Sequence, residues 1–154
     1  MNTITNRRHT ARRIFVLGSL AAAAVAIAPG AASAGCSGQT IQATSNNQVI
    51  HGTGCDDTIK IGRYANVTVY AGGGNDYISA GFNGNGGTSY IYGEAGNDTV
   101  NNMGFKQVWV DGGSGNDTLE GSDQADTFYG GTGSDKAEVG AGDFQSSIEV
   151  DLLP

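Results

Sequence analysis

The sequence predicts an all-β protein, a right-handed parallel β-roll (β-solenoid) of about five to six two-strand turns. Three observations predict it. Short runs of β-branched and aromatic residues alternate with glycine-rich turns, and an aspartate follows each of these turns at intervals of 19, 22, 19 and 18 residues. The chain also contains 26 glycines but 2 prolines, which suits tight corners between short strands. One interval of roughly twenty residues is the length of a solenoid level made of two strands and two corners.

The first 34 residues predict an export signal that is removed. A basic start that includes Arg12 and Arg13 is followed by an apolar run over 14–27 and by the small residues Ala32-Ser33-Ala34. The segment Arg12-Arg13-Ile14-Phe15-Val16-Leu17 resembles a twin-arginine signal, and the general secretory route stays open as the alternative. The apolar run is too short for a comfortable membrane span. We therefore expect a bacterial protein that is secreted, either extracellular or associated with the cell wall.

The remaining 120 residues are expected to form one domain in three parts. Residues 35–48 are interpreted as an N-terminal cap, 49–145 as the repeat array and 146–154 as a C-terminal capping strand. Removal of the signal leaves four basic and fifteen acidic residues, a formal net charge of −11. Such a chain repels nucleic acid and anionic lipid and attracts cations.

Five segments superimpose as strand, glycine turn, aspartate and strand. They span 49–59, 69–78, 91–100, 110–119 and 128–137. Alternation along the strands predicts two inward-facing series of apolar side chains. One series is Ile59, Ile78, Val100, Leu119 and Ala137, and the other is Val67, Val69, Ile91, Val108, Val110 and Phe128.

These segments resemble the RTX (repeats-in-toxin) nonapeptide, which reads G-G-x-G-x-D-x-U-x. Gly112, Gly121 and Gly130 even keep a strict nine-residue register. The first and third repeats depart from the pattern, at Cys55-Asp56 and Glu94-Ala95. The resemblance implies that Ca²⁺ is held between stacked turns by carboxylate and backbone carbonyl oxygens.

The candidate calcium residues follow from this resemblance. The carboxylates are Asp57, Asp76, Asp98, Asp117 and Asp135, and the turn glycines are Gly72, Gly74, Gly96, Gly113, Gly115, Gly131 and Gly133. The opposite edge carries the motif once in partial form, with Asp126 and Asp143 as a weaker candidate site.

The calcium interpretation has a physical basis. Calcium takes six to eight oxygen ligands, which is more than one turn can supply. Levels about 4.8 Å apart allow an ion to take ligands from two turns. Without cations the aspartates repel one another, so calcium binding is expected to drive folding. The alternative is a metal-free solenoid whose aspartates only end the turns.

The two cysteines of an exported chain predict a disulfide between Cys36 and Cys55, which lie about one turn apart. A lipid-modified Cys36 is the alternative, since Ala34-Gly35-Cys36 ends like a lipoprotein box. Ser33 stands where that motif expects a leucine. No zinc spacing or catalytic set is visible in the sequence, because His51 is isolated and the acids repeat identically, so we expect no enzyme activity.

Alternation also places aromatic residues on the outer face of one sheet. The possible ligand surface consists of Tyr70, Tyr90, Tyr92, Trp109 and Tyr129. Two functions therefore remain in view. One is a secreted calcium-binding repeat protein, and the other is a module or adhesin that binds a cell-surface polysaccharide or another protein, with calcium purely structural.

Overall fold

The computed structural model describes residues 36–81, 86–104 and 107–151, with Val150 and Asp151 described by backbone alone. The expected export signal lies outside these residues. The described part contains thirteen short strands and no helix. The strands are β1 (Thr40–Gln42), β2 (Val49–His51), β3 (Thr58–Lys60), β4 (Thr68–Gly73), β5 (Tyr77–Ser79), β6 (Ser89–Ala95), β7 (Thr99–Asn101), β8 (Val108–Ser114), β9 (Thr118–Glu120), β10 (Thr127–Thr132), β11 (Lys136–Glu138), β12 (Phe144–Ser146) and β13 (Val150–Asp151).

Consecutive strands alternate between two parallel sheets. The odd-numbered strands β1 to β13 form a seven-stranded sheet in chain order, and the even-numbered strands β2 to β12 form a six-stranded sheet. This is a β-solenoid of about five turns, which confirms the predicted fold class. Among the described residues there is no helix that could cross a bilayer.

The core is the thin space between the two sheets, and the strand register builds it. Ile59 pairs with Ile78, and Ile78 pairs in turn with Val100, so apolar side chains stack in a column. Phe128 pairs with Val110 in the other sheet. All the predicted inward-facing residues have 0–1% of their surface exposed, which confirms both series. β-Branched residues suit these positions because they pack well on a pleated surface.

Both chain ends of the described part contribute strands to the array. β1 lies within the segment that we interpreted as a cap and pairs with β3 as a regular level of the solenoid. β13 lies within 146–154 and pairs with β11. The division of the chain into a cap, an array and a capping strand stays a prediction.

A disulfide joins the first two levels at the N-terminal end. Cys36 and Cys55 are bonded with their Cα atoms 5.6 Å apart, inside the usual range for a disulfide. This confirms the predicted pair, and a thioether-linked lipid on Cys36 is incompatible with it. The bond closes a loop of about one turn at the N-terminal end of the described residues.

The double variant Cys36→Ser/Cys55→Ser is expected to lose stability in saturating calcium. Closing a loop of this size stabilises by roughly 3 kcal/mol, so the thermal midpoint should fall by on the order of 10 °C. Circular dichroism melting measures it, and the wild type treated with a reducing agent is the matched control. Equal midpoints for the oxidised wild type and the variant would contradict a stabilising disulfide.

Candidate metal site

The glycine turns bring the backbones of successive levels into direct contact. All seven glycines predicted for the site have positive φ, between 98° and 138°. A Cβ on Gly96 would lie 1.7 Å from the carbonyl oxygen of Gly74, and one on Gly115 would lie 1.8 Å from that of Gly96. Carbonyl oxygens of one level therefore point at the glycine of the next level, and no other residue fits there.

The five predicted aspartates form one buried column along this edge. Their side chains are at most 2% exposed. In each, Oδ1 accepts a hydrogen bond from a backbone N–H of the preceding level. Asp57 N–H donates to Asp76, Asp76 N–H donates to Asp98, and Asp98 N–H donates to Asp117, at 2.6–2.8 Å. The column thus spaces one carboxylate per level.

The second carboxylate oxygen of most of these aspartates has no donor. Oδ2 of Asp76, Asp98, Asp117 and Asp135 is buried and accepts no hydrogen bond. A buried acceptor without a partner is rare in folded proteins, and leaving a charged one unsatisfied costs more than about 1–3 kcal/mol. Four such atoms lie in consecutive turns, where a cation would compensate the buried carboxylates.

The pKa values of the buried aspartates also indicate that their charged forms are destabilised. Burial raises the pKa of Asp76 to about 7, that of Asp98 to about 8 and that of Asp117 to about 6. Hydrogen bonds from the backbone lower these pKa values by less, and the charges of neighbouring aspartates raise them further. At neutral pH burial therefore favours the protonated form of Asp98 most strongly, and a bound cation would favour the ionised form instead.

The residue before each aspartate forms a second column that the sequence analysis missed. Asn75 Oδ1 accepts from the N–H of Asn97, Asn97 Oδ1 accepts from that of Asn116, and Asn116 Oδ1 accepts from that of Ser134, all at 2.7–2.8 Å. Asp56 begins this column. The aspartates reach back one level and these side chains reach forward one level. The recurrence of Asn before Asp was the available signal.

Two further contributions were also missed. Glu149 Oε2 accepts from Asp135 N–H at 2.5 Å, so it takes the place of a next aspartate and ends the column. A Cβ on Gly93, Gly112 or Gly130 would lie 2.4–2.5 Å from Oδ2 of the aspartate five residues later. These glycines open the turns of Asp98, Asp117 and Asp135 and leave room for the carboxylate, which the nine-residue register indicated, whereas Ala71 stands at this position before Asp76.

The opposite edge places Asp126 and Asp143 in a shorter column of the same kind. Asp126 Oδ1 accepts from Val108 N–H, and Asp143 Oδ1 accepts from Asp126 N–H, both at 2.8 Å. Here the outer oxygens have donors, since Asp126 Oδ2 accepts from Ser122 N–H and Asp143 Oδ2 accepts from Gly140 N–H. Burial raises the pKa of Asp126 as well.

The donor set of the main column fits calcium. In the described residues no three His, Cys, Asp or Glu side chains converge on one point, so the imidazole and thiolate clusters that suit zinc, copper and iron are not formed there. One carboxylate oxygen per level together with backbone carbonyls is the hard, oxygen-only set that calcium prefers. Asp76, Asp98, Asp117 and Asp135 would hold the ions, and calcium would supply positive charge to their outer oxygens.

The outer face of the six-stranded sheet carries the predicted aromatic residues in a continuous ladder. His51, Tyr70 and Tyr92 stack nearly parallel, with ring centroids 5.1 and 4.9 Å apart. Trp109 continues the ladder 5.3 Å from both Tyr92 and Tyr129, tilted by 53° and 45°. The faces of the parallel rings are therefore turned towards neighbouring levels, and their edges are turned outward.

Trp109 enters this ladder from a neighbouring register position. The strand register pairs Trp109 with Tyr90, 44% exposed, and places Asp111 opposite Tyr92 and Tyr129. The ring centroids of Tyr90 and Trp109 are 6.4 Å apart. The indole leans across the gap that the smaller Asp111 leaves, so all five predicted aromatic residues lie on one surface.

Comparison with known protein families agrees with this geometry. The model of the RTX calcium-binding nonapeptide repeat matches the chain in four copies, over residues 61–83, 82–103 and 109–143. These residues include the turns of all four aspartates whose outer oxygen lacks a donor. No curated protein and no solved structure matches the chain. The chain belongs to the family of RTX calcium-binding nonapeptide repeat proteins.

Proposed function

We propose that the chain is a secreted, non-catalytic protein whose β-roll folds when calcium ions bind between its stacked turns. RTX repeats imply a calcium-binding β-roll. The observation that carries the proposal is the row of four buried Oδ2 atoms without donors, at Asp76, Asp98, Asp117 and Asp135. Calcium satisfies these oxygens, and its binding energy becomes folding energy because the unfolded chain has no such site.

The thin core supports coupled folding. The largest buried side chain is that of Phe128, and most other core positions hold valine, isoleucine or alanine. A small core of this kind contributes little net stability after chain entropy is overcome. The cost of the buried carboxylates is added to it when no cation is present. We therefore infer that at neutral pH the fold persists only when calcium is bound.

Export is supported by two features. The disulfide between Cys36 and Cys55 fits an oxidising compartment. Extracellular calcium is also abundant enough for modules whose affinity is weak, with dissociation constants of about 10⁻⁴–10⁻³ M. We infer that the protein acts outside a bacterial cell, either free or at the cell wall, after residues 1–34 are removed.

A non-catalytic role is supported by the arrangement of the acids. Catalytic carboxylates work in pairs whose environments differ, whereas Asp76, Asp98 and Asp117 make the same hydrogen bonds with the same kind of neighbours. His51 stacks on Tyr70 in the aromatic ladder. Each of these groups has a structural partner that explains its position.

The alternative function, a polysaccharide-binding module or adhesin, receives less support. Sugar rings bind aromatic side chains through the ring face, and the faces of His51, Tyr70 and Tyr92 are stacked on one another. Cross-strand stacking between neighbouring levels explains the ladder without a ligand. The exposed Tyr90 and the tilted Trp109 are the parts of this surface that remain open to a polysaccharide or protein partner.

The test is a calcium titration of the chain without residues 1–34, followed by circular dichroism. We expect a disordered spectrum in chelator, a cooperative gain of β signal as calcium rises into the range of about 10⁻⁴–10⁻³ M, and reversal by excess chelator. Magnesium is the control, because it demands a smaller octahedral site and keeps its waters. A β spectrum that is the same with chelator and with calcium would overturn coupled folding.

A further inference from the structure

The six buried aspartates of the roll differ in what their outer oxygen contacts, although their inner oxygen is bonded alike. Oδ1 of Asp57 accepts from Gln39 N–H at 2.6 Å, and Oδ1 of Asp126 accepts from Val108 N–H at 2.8 Å. These are the same bonds that hold the other four. All six side chains are at most 2% exposed. The bond to the inner oxygen and the burial of the side chain therefore do not separate them.

The outer oxygens fall into two classes. Asp57 Oδ2 accepts from Thr53 N–H at 2.6 Å and from the Thr53 hydroxyl at 3.0 Å. Asp126 Oδ2 accepts from Ser122 N–H at 2.8 Å, from the Ser122 hydroxyl at 3.1 Å and from the Asn102 side-chain amide at 3.1 Å. The other four outer oxygens have no donor.

The residue four positions before the aspartate separates the classes. In the turns without a donor this residue has positive φ, at Gly72, Glu94, Gly113 and Gly131. In the turns of Asp57 and Asp126 it is Thr53 or Ser122, and neither has positive φ. The left-handed conformation is uncommon for residues other than glycine and is most costly for the β-branched Thr53. Outside this conformation, the N–H and the hydroxyl of Thr53 or Ser122 both reach the carboxylate of the same turn.

We propose that the turns containing Thr53 and Ser122 take no calcium, and that the ions are confined to the single edge formed by Asp76, Asp98, Asp117 and Asp135. The inference rests on the proposed calcium-dependent function and refines it to particular turns. We call a turn closed when the outer oxygen of its aspartate accepts hydrogen bonds, and open when that oxygen has no donor. In a closed turn an ion must displace two or three hydrogen bonds from the outer oxygen. In an open turn the ion meets an oxygen that has no other partner, so binding there satisfies a group that otherwise destabilises the fold.

The proposal changes the interpretation of the opposite edge. Its partial motif, Gly121 to Asp126, has the aspartate and the first glycine of a calcium turn but replaces the cation with hydroxyl and amide donors. This edge is then held together at any calcium concentration that folds the roll. The family match leaves out the turn of Asp57 but includes that of Asp126, so the donors to the outer oxygen, and not the family match, distinguish these two turns from the other four.

The test compares the same isosteric change in two turns nine residues apart, in the chain without residues 1–34. Bound calcium per chain is counted by equilibrium dialysis and metal analysis for the wild type, Asp117→Asn and Asp126→Asn. We expect Asp117→Asn to lose at least one ion per chain and Asp126→Asn to keep the wild-type number. Equal losses in the two variants would overturn the proposal.

Asp126→Asn brings an amide donor against the Ser122 donors, so its fold can fail. Ser122→Ala, which removes only the hydroxyl, is the second variant and should also keep the wild-type number of ions. Anomalous diffraction from wild-type crystals grown in calcium gives an independent readout. An ion beside Asp57 or Asp126 would refute the proposal, and ions found only beside Asp76, Asp98, Asp117 and Asp135 would support it. A wild type that binds no calcium would instead refute the proposed function.

Discussion

Replacing Gly96 with alanine is expected to prevent the chain from folding even in saturating calcium. Gly96 has φ of 133°, and an added Cβ would lie 1.7 Å from the Gly74 carbonyl oxygen on the neighbouring level. The oxygen belongs to the backbone and the Cβ is fixed to it directly, so neither atom can move without separating two levels in the middle of the array. Left-handed strain alone costs about 1–2 kcal/mol. The overlap of the two atoms costs more than this strain, against a total stability of about 5–15 kcal/mol.

Circular dichroism and thermal melting in calcium measure the effect. Gly62→Ala is the matched control, because Gly62 also has positive φ, 62°, but no atom would lie within 4 Å of the new Cβ. We expect this control to fold and to lose about 1 kcal/mol. A Gly96→Ala protein that melts within a few degrees of the control would show that the levels are not in the contact described.

Lowering the pH is expected to have opposite effects on the calcium-free and the calcium-bound chain. Burial raises the pKa of Asp76, Asp98 and Asp117 to about 7, 8 and 6 in the fold, whereas an unfolded aspartate titrates at about 3.9. The folded state therefore binds more protons between these values. Its stability is full below pH of about 4 and is lost as the pH rises through about 6–8.

In chelator, β structure should consequently increase as the pH falls from 8 to about 4. In calcium, the same protons compete with the ion, so the calcium affinity should fall with the pH. Circular dichroism across this range measures the first effect, and calcium titrations at several pH values measure the second. Asp98→Asn is the control, since it removes the aspartate with the highest pKa and should reduce both effects. A calcium-free chain that is less structured at pH 4 than at pH 8 would contradict the buried column.

Much of the fold could be predicted because the sequence repeats the same segment of strand, glycine turn, aspartate and strand. The columns through Ile78 and Val69 follow from alternation, and the glycines with positive φ follow from tight turns that disfavour most other residues. The buried aspartates followed from their recurrence once per level. The disulfide followed from two cysteines one level apart.

The remaining features depend on contacts between levels that alternation does not specify. The asparagine column became visible only when the direction of each backbone N–H was known, since exposed Asn97 has the sequence signature of an ordinary turn residue. Glu149 acts as the last member of the aspartate column only because β13 pairs with β11. Trp109 leans towards Tyr92 because Asp111 is too short to fill the aromatic ladder.

The opposed reach of the aspartate and asparagine columns restricts how such a protein can change its length in evolution. In each turn the aspartate, such as Asp98, accepts a hydrogen bond from the backbone of the preceding level. The asparagine beside it, such as Asn97, accepts one from the backbone of the following level. Deletion of part of a turn would break hydrogen bonds to both neighbouring levels, whereas duplication of a whole repeat recreates all of these hydrogen bonds. The specialised ends, with Cys36–Cys55 at one and Glu149 at the other, would stay unchanged while the middle gains or loses complete units.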